Sequence, residues 1–161
     1  PSLAKIGLDI HFNEEALWRT KSIRPLKVQY TLDNSVMFID LNPGITETIL
    51  QHQLNTPNIK GIVLKTYGAG NAPTYQWFTK TIKEAVDRGI IILNVTQCVN
   101  GGVHPLLYMS GNQLASTGVI SGRDITSEAA LTKMMYLFGL GLSTDEVKRY
   151  LNCSLCGEVT I

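Results

Sequence analysis

A chain of 161 residues with 44% apolar, 17% charged and 7% aromatic side chains holds enough apolar surface for one domain, with or without an extra arm, and too little charge to stay disordered. Its net charge of +1 leaves no basic footprint, so neither nucleic acid nor an anionic membrane is expected as a partner. Apolar runs are too short to span a bilayer, and no basic stretch leads into an apolar one, so no secretory leader is expected.

The chain opens on Pro1, which reads as part of a longer polypeptide. Residues 1–34 are irregular and polar. Within them the pattern predicts a strand around Ile6–Phe12, a helical patch over Glu14–Arg19 and a strand over Leu26–Leu32. Together they read as an arm or interdomain connection, with a domain proper over 35–161. Val36–Ile39 is a buried-strand run closed by Asn42-Pro43-Gly44, and Thr46–Leu54 a short helix. Lys60–Lys65 is a second strand, followed by Gly68-Ala69-Gly70-Asn71-Ala72-Pro73. Pro73 suits the first turn of a helix that carries Trp77, Phe78, Ile82, Ala85 and Val86 and stops at Gly89.

Gly89–Val95 is the most apolar strand, and Thr96–Gly102 a loop. Val103–Ser116 reads as a helix broken by Gly111, and Gly118–Ile120 as a fourth strand. Thr126 caps a helix over Ser127–Phe138, and Ser143-Thr144-Asp145-Glu146 opens the last one with acidic first-turn residues. Continuously apolar strands alternating with helices imply a parallel sheet covered on both faces. The expected fold is a three-layer α/β domain of about four strands, flavodoxin- or Rossmann-like. Ligands collect beyond the carboxyl ends of such strands, which directs attention to Leu41–Gly44, Thr66–Pro73 and Thr96–Gly102.

Several chemistries are weak or absent. The third glycine of a dinucleotide fingerprint starting at Gly68 would fall on Pro73, and no acidic residue ends the next strand. Neither a P-loop nor a nucleophile elbow occurs. His11, His52 and His104 are scattered, away from any evident nucleophile. Cys98, Cys153 and Cys156 are an odd count, which fits a reducing compartment better than a disulfide framework. Cys153 and Cys156 form C-x-x-C, but zinc would need two more ligands and a redox site an earlier position, so unremarkable thiols are expected.

The run from Gly61 through Tyr67-Gly68-Ala69-Gly70-Asn71-Ala72-Pro73, then Ala85–Gly89, Asn94-Val95-Thr96-Gln97-Cys98, Gly118–Gly122, Asp124–Thr126 and Glu128–Lys133, resembles the type I, cytoplasmic bacterial L-asparaginases. Leu3–Ile10 is similar to the segment entering that family's second domain. The resemblance implies a C-terminal domain whose nucleophilic threonine, second catalytic threonine with its Asp, and lysine all belong to an N-terminal domain. Thr96 and Thr126 match other motifs. The implied parent reaction is hydrolysis of L-asparagine to L-aspartate and ammonia through an acyl-enzyme ester, without metal or cofactor.

It further implies a homodimer or dimer of dimers in which Asn71 reaches the partner's substrate site. A carboxamide offers donor and acceptor without adding charge; the plainer alternative is an asparagine that holds a tight turn. Tyr108 lies where periplasmic relatives supply a glutamate. Lys65, Thr96, Gln97 and Cys98 match a regulatory asparagine site. Lysine replaces the family's arginine at 65 and loses its planar fork, which implies a weaker grip on an effector carboxylate. For Cys98 the alternative is a buried thiol closing a strand end. Two other readings stand beside the amidohydrolase: the asparaginase-like subunit of a tRNA-dependent amidotransferase, and a stand-alone amino-acid-binding regulatory module.

Overall fold

The computed structural model describes residues 2–17, 25–99, 101–104 and 109–161, and for 109 and 110 only the backbone. A small antiparallel hairpin comes first: β1 (Ala4–Ile6) pairs with β2 (Ile10–Phe12), with Ile6 opposite Ile10 and Ala4 opposite Phe12. The single strand expected over Ile6–Phe12 is therefore folded back on itself. Gly7, Leu8 and Asp9 make the bend, closed by the Gly7 N–H donating to the Asp9 carbonyl at 3.0 Å. Of the expected helical patch, Glu14–Ala16 is a single 3₁₀ turn; Arg19 lies outside the described residues.

The strand expected over Leu26–Leu32 is absent. Its alternating Leu26, Val28, Tyr30 and Leu32 are exposed, and the segment runs alongside a helix instead of a strand. The Gln29 side-chain amide donates to the Gly139 carbonyl at 3.2 Å, and the Asp33 N–H to the Met135 carbonyl at 3.0 Å. These two bonds tie the segment to the far half of a helix.

The main sheet holds β3 (Val36–Asp40), β4 (Gly61–Thr66), β5 (Ile91–Thr96) and β6 (Ile120–Ser121), all parallel and in sequential order. Between them lie α1 (Glu47–Leu54), α2 (Gln76–Asp87) and α3 (Met109–Ala115); α4 (Ser127–Gly139) and α5 (Thr144–Leu151) follow. Right-handed crossovers in an order that never reverses put the connecting helices on one face. Accordingly Ile39, Ile62, Leu64 and Ile92 pack against Leu50 and Leu54 of α1, Phe78 and Ile82 of α2, and Leu114 of α3. The alternate residues Val63, Ile91, Leu93 and Val95 meet Ala130, Met134 and Leu137 of α4 and Val147 and Leu151 of α5. The three-layer α/β expectation holds.

Local chemistry explains most boundaries. Thr46 and Thr126 accept from the N–H groups of Ile49 and Ala129, and Ser143 with Glu146 forms a full capping box. Pro73 does not open α2: the helix begins at Gln76 behind Tyr75, and 72–75 form neither helix nor strand. Of the helix expected over Val103–Ser116, the described residues show Met109–Ala115 as helix, Val103 and His104 lie outside it, and Gly111 sits inside it without breaking it. Among the described residues no helix is long and apolar enough to cross a membrane.

Candidate functional site

The carboxyl ends of β3, β4 and β5 lie side by side, because register pairs Asp40 with Lys65 and Thr66 with Thr96. Their loops form one polar rim. After β4 the chain makes a tight turn in which Tyr67 and Asn71 face each other and exchange backbone hydrogen bonds. The Tyr67 N–H donates to the Asn71 carbonyl at 2.9 Å, and the Asn71 N–H to the Tyr67 carbonyl at 2.8 Å. Gly70 has φ +103°, and a Cβ there would stand 2.7 Å from Val103 Cγ1, so the turn needs glycine for both conformation and space. The His104 N–H donates to the Ala69 carbonyl at 2.9 Å and ties the turn to the loop after β5. Asn71 thus sits on a fixed turn at the rim, half-buried.

Thr96 and Gln97 join this turn to its neighbours. The Thr96 hydroxyl donates to the Gly68 carbonyl at 2.5 Å and accepts from the Cys98 N–H at 3.0 Å. The Gln97 amide reaches over two strand ends, donating to the Leu41 carbonyl at 2.6 Å and the Lys65 carbonyl at 3.0 Å. The Cys98 thiol is exposed, which corrects the reading of a buried thiol at a strand end: the loop after Gln97 turns outward, and Val99 is exposed as well.

Lys65, on the face of α4, is engaged by a partner of its own. Its ammonium lies 2.7 Å from the Asp40 carboxylate on the paired strand and 5.7 Å from the centre of the Phe38 ring. Tyr67 carries a buried hydroxyl with no hydrogen-bond partner among the described residues, and burial pushes its phenol above the ordinary value. Tyr108 lies outside the described residues. His11, His52 and His104 are all exposed and fall on separate elements.

Sequence reasoning missed three contributors to the rim and one buried charge elsewhere. Asp40 partners Lys65. Thr66 and Asn94 form a buried pair beneath the turn, with the Thr66 hydroxyl donating to Asn94 Oδ1 at 2.6 Å. Lys133 is buried on α4, outside the rim, where its ammonium meets the Glu158 carboxylate at 2.6 Å and donates to the Cys153 carbonyl at 2.5 Å. Asn94 was detectable as a polar residue inside the most apolar strand, and Lys133 as a lysine among Leu131, Met134 and Leu137. Cys153 and Cys156 are exposed; their thiols donate to the Arg149 carbonyl at 3.3 Å and to Glu158 Oε2 at 3.4 Å.

The arrangement defines a class: a parallel α/β domain that offers a carboxamide on a fixed turn and a ring of loop hydroxyls and amides at one sheet edge, with no nucleophile–base pair assembled there among the described residues. More particularly, the Glutaminase/Asparaginase C-terminal domain family matches residues 35–151, and the chain belongs to that family. It is 39% identical over 159 residues to the human 60 kDa lysophospholipase, covering 98% of this chain and 27% of that protein. With L-asparaginase 1 of Escherichia coli K12 the identity is 41% over 122 residues, covering 76% and 36% respectively. The crystal structure of L-asparaginase I from Vibrio cholerae superposes with a TM-score of 0.86 at 36% identity, covering all of this chain and 48% of that one. The chain therefore spans between about a quarter and a half of the length of these relatives.

Proposed function

We propose that the chain is the C-terminal part of an L-asparagine amidohydrolase, and that its contribution to hydrolysis is made across a subunit interface by Asn71. The observation that carries this reading is the turn itself. Backbone bonds on both sides of Asn71, a glycine that tolerates no side chain, and a tie to the neighbouring loop hold one carboxamide at the sheet's carboxyl edge. A carboxamide so held can orient an amino acid's charged ends. The sheet order does not reverse, so the rim lacks the crevice found where strands diverge. A partner that brings the nucleophile supplies the other wall. In this reading the hydroxyl nucleophile forms the acyl-enzyme, the chain's own N-terminal domain provides it, and the assembly is a homodimer or dimer of dimers without cofactor. Three exposed unpaired thiols suit a reducing, cytoplasmic location.

Lys65, Thr96, Gln97 and Cys98 form the candidate effector site. Asp40 already partners the Lys65 ammonium, so an effector carboxylate competes with it for that charge.

The test uses the full-length protein. Asn71→Ala removes one hydrogen bond to a charged group, worth about 1.5–3 kcal/mol, so kcat/KM for L-asparagine falls roughly ten- to a hundredfold while the fold persists. Heterodimers of that variant with a chain lacking its nucleophile regain activity, because one site then combines an intact nucleophile with a native Asn71. Unchanged kcat/KM, or no recovery on mixing, overturns the shared site. Release of fatty acid from a lysophospholipid is measured alongside ammonia release; ester hydrolysis without amide hydrolysis would transfer the reading to the chemistry named for the human relative.

A further inference from the structure

Two polar side chains lie where the texture of the central strands calls for apolar ones. Thr66 on β4 is fully buried and Asn94 on β5 is 5% exposed. Both project to the face of α1–α3, among Leu64, Phe78 and Ile92. A hydroxyl and a carboxamide buried here destabilise the fold unless each finds a partner. The partners are specific. The Thr66 hydroxyl donates to Asn94 Oδ1 at 2.6 Å, with the Val95 carbonyl a second acceptor at 3.2 Å. That contact decides which end of the amide faces β4. The other end, Nδ2, then faces the turn and donates to the Gly70 carbonyl at 3.5 Å. The Asn94 backbone carbonyl accepts from the Gly122 N–H at 2.7 Å, which fixes the strand on its other side.

The Gly70 carbonyl and the Asn71 N–H belong to one planar peptide unit. Asn94 holds the carbonyl of that plane, and the Tyr67 carbonyl holds its N–H at 2.8 Å. A peptide plane bonded at both ends, tightly at its N–H and loosely at its carbonyl, resists rotation, so the direction in which Asn71 leaves the backbone is restrained from below. We propose that Asn94, oriented by Thr66, is a positioning residue that aims the Asn71 carboxamide. The proposal rests on the reading that Asn71 touches substrate.

The experiment uses four variants of the full-length protein. Asn94→Asp keeps the shape but turns the donor facing Gly70 into an oxygen. Thr66→Val keeps the shape of the threonine but removes the hydroxyl that orients the amide, and Thr66→Ser restores it. Asn71→Ala is the reference. Misaiming a substrate contact raises KM for L-asparagine about tenfold and leaves kcat within about twofold. Thr66→Val and Asn94→Asp are expected to show this split, with Thr66→Ser returning KM towards the starting value. Combining Asn94→Asp with Asn71→Ala adds little to Asn71→Ala alone, since both remove one contact.

A merely structural pair would lower the thermal midpoint with KM unchanged, and its effects would add to those of Asn71→Ala; either result overturns the proposal. If Asn94→Asp fails to fold, the Val and Ser variants at 66 decide the matter alone. Should Asn71→Ala raise KM while folded Thr66→Val does not, the positioning role is lost and the substrate contact stands. Should Asn71→Ala itself leave KM and kcat unchanged, the substrate contact is lost and the positioning role with it.

Discussion

The hairpin β1–β2 and the sheet β3–β6 use the same kinds of side chain to opposite effect. In the sheet Ile39, Ile62 and Ile92 are almost wholly buried between two layers of helix, whereas in the hairpin Ile6 is 82% exposed and Phe12 68%. Ala4, Ile6, Ile10 and Phe12 fall on one side of the ribbon by register, so the exposed apolar groups form a face. Two strands alone are marginal in water, and stability comes with further strands or a covering helix. The lesson is that the sheet carries its own cover on both faces and the hairpin does not. Leu26 and Tyr30 repeat the pattern in the stretch that follows, both largely exposed.

That contrast can be broken most forcefully at Lys133. Lys133→Met leaves the Glu158 carboxylate buried without its cation, and urea unfolding should show a loss of about 3–5 kcal/mol. The pair also carries a pH signature. Burial pushes the Glu158 carboxyl up, but the Lys133 ammonium and the N–H groups of Cys156 and Leu155 outweigh it, holding the carboxyl at about 2 against an ordinary 4.5. The folded state thus favours the ionised form. This contribution is complete above about pH 4.5 and is lost as pH falls through about 2. In Lys133→Met the acid side of the stability curve should flatten; identical acid limbs in the two proteins would remove the pair from the account.

A smaller loss is expected at the start of α4. Thr126→Ala deletes the hydroxyl that accepts from the Ala129 N–H at 3.2 Å and should cost about 1 kcal/mol by the same assay. The smallest lies in the hairpin: Ile10→Ser should change the stability of this chain by no more than about 0.5 kcal/mol, as for an exposed site. A loss above about 1.5 kcal/mol would show that the ribbon shares the core's cooperativity, and would erase the contrast between the two regions.

The legible elements were those whose signal is local. Val36–Ile39, Lys60–Lys65 and Gly89–Val95 read as buried strands because their apolar runs are continuous, and α4 and α5 because Thr126 and Ser143 cap them. Leu26–Leu32 misled for the complementary reason. Alternation marks an apolar side of an extended chain, but says nothing about whether a strand lies alongside. Pro73 misled because a residue compatible with a helix start does not require one there. At the rim, the loops that hold Asn71, Thr96 and Gln97 followed from the strand ends, and the resemblance singled out the residues within them. The Asp40 partner of Lys65 and the Thr66–Asn94 pair did not, since both depend on which strands are neighbours and in what register.

From Cys153 onward the chain has neither helix nor strand, yet Val159 packs into the core beside α4 and α5 and Glu158 meets Lys133. A groove of about 730 Å³ opens beside it, walled largely by leucines and tyrosines, among them Leu137, Leu142, Tyr136 and Tyr150, with Leu155 and Glu158 of the segment itself on one side. An apolar wall of this kind accepts an aperiodic segment in many threadings. Lys133 and Glu158 admit one. A segment that slips by a single residue leaves the buried Lys133 ammonium without its carboxylate at a cost of about 3–5 kcal/mol, which disfavours each wrong threading by roughly two to four powers of ten. The ion pair therefore acts less as glue than as proofreading, choosing the seat of a segment that has no periodic structure to choose it.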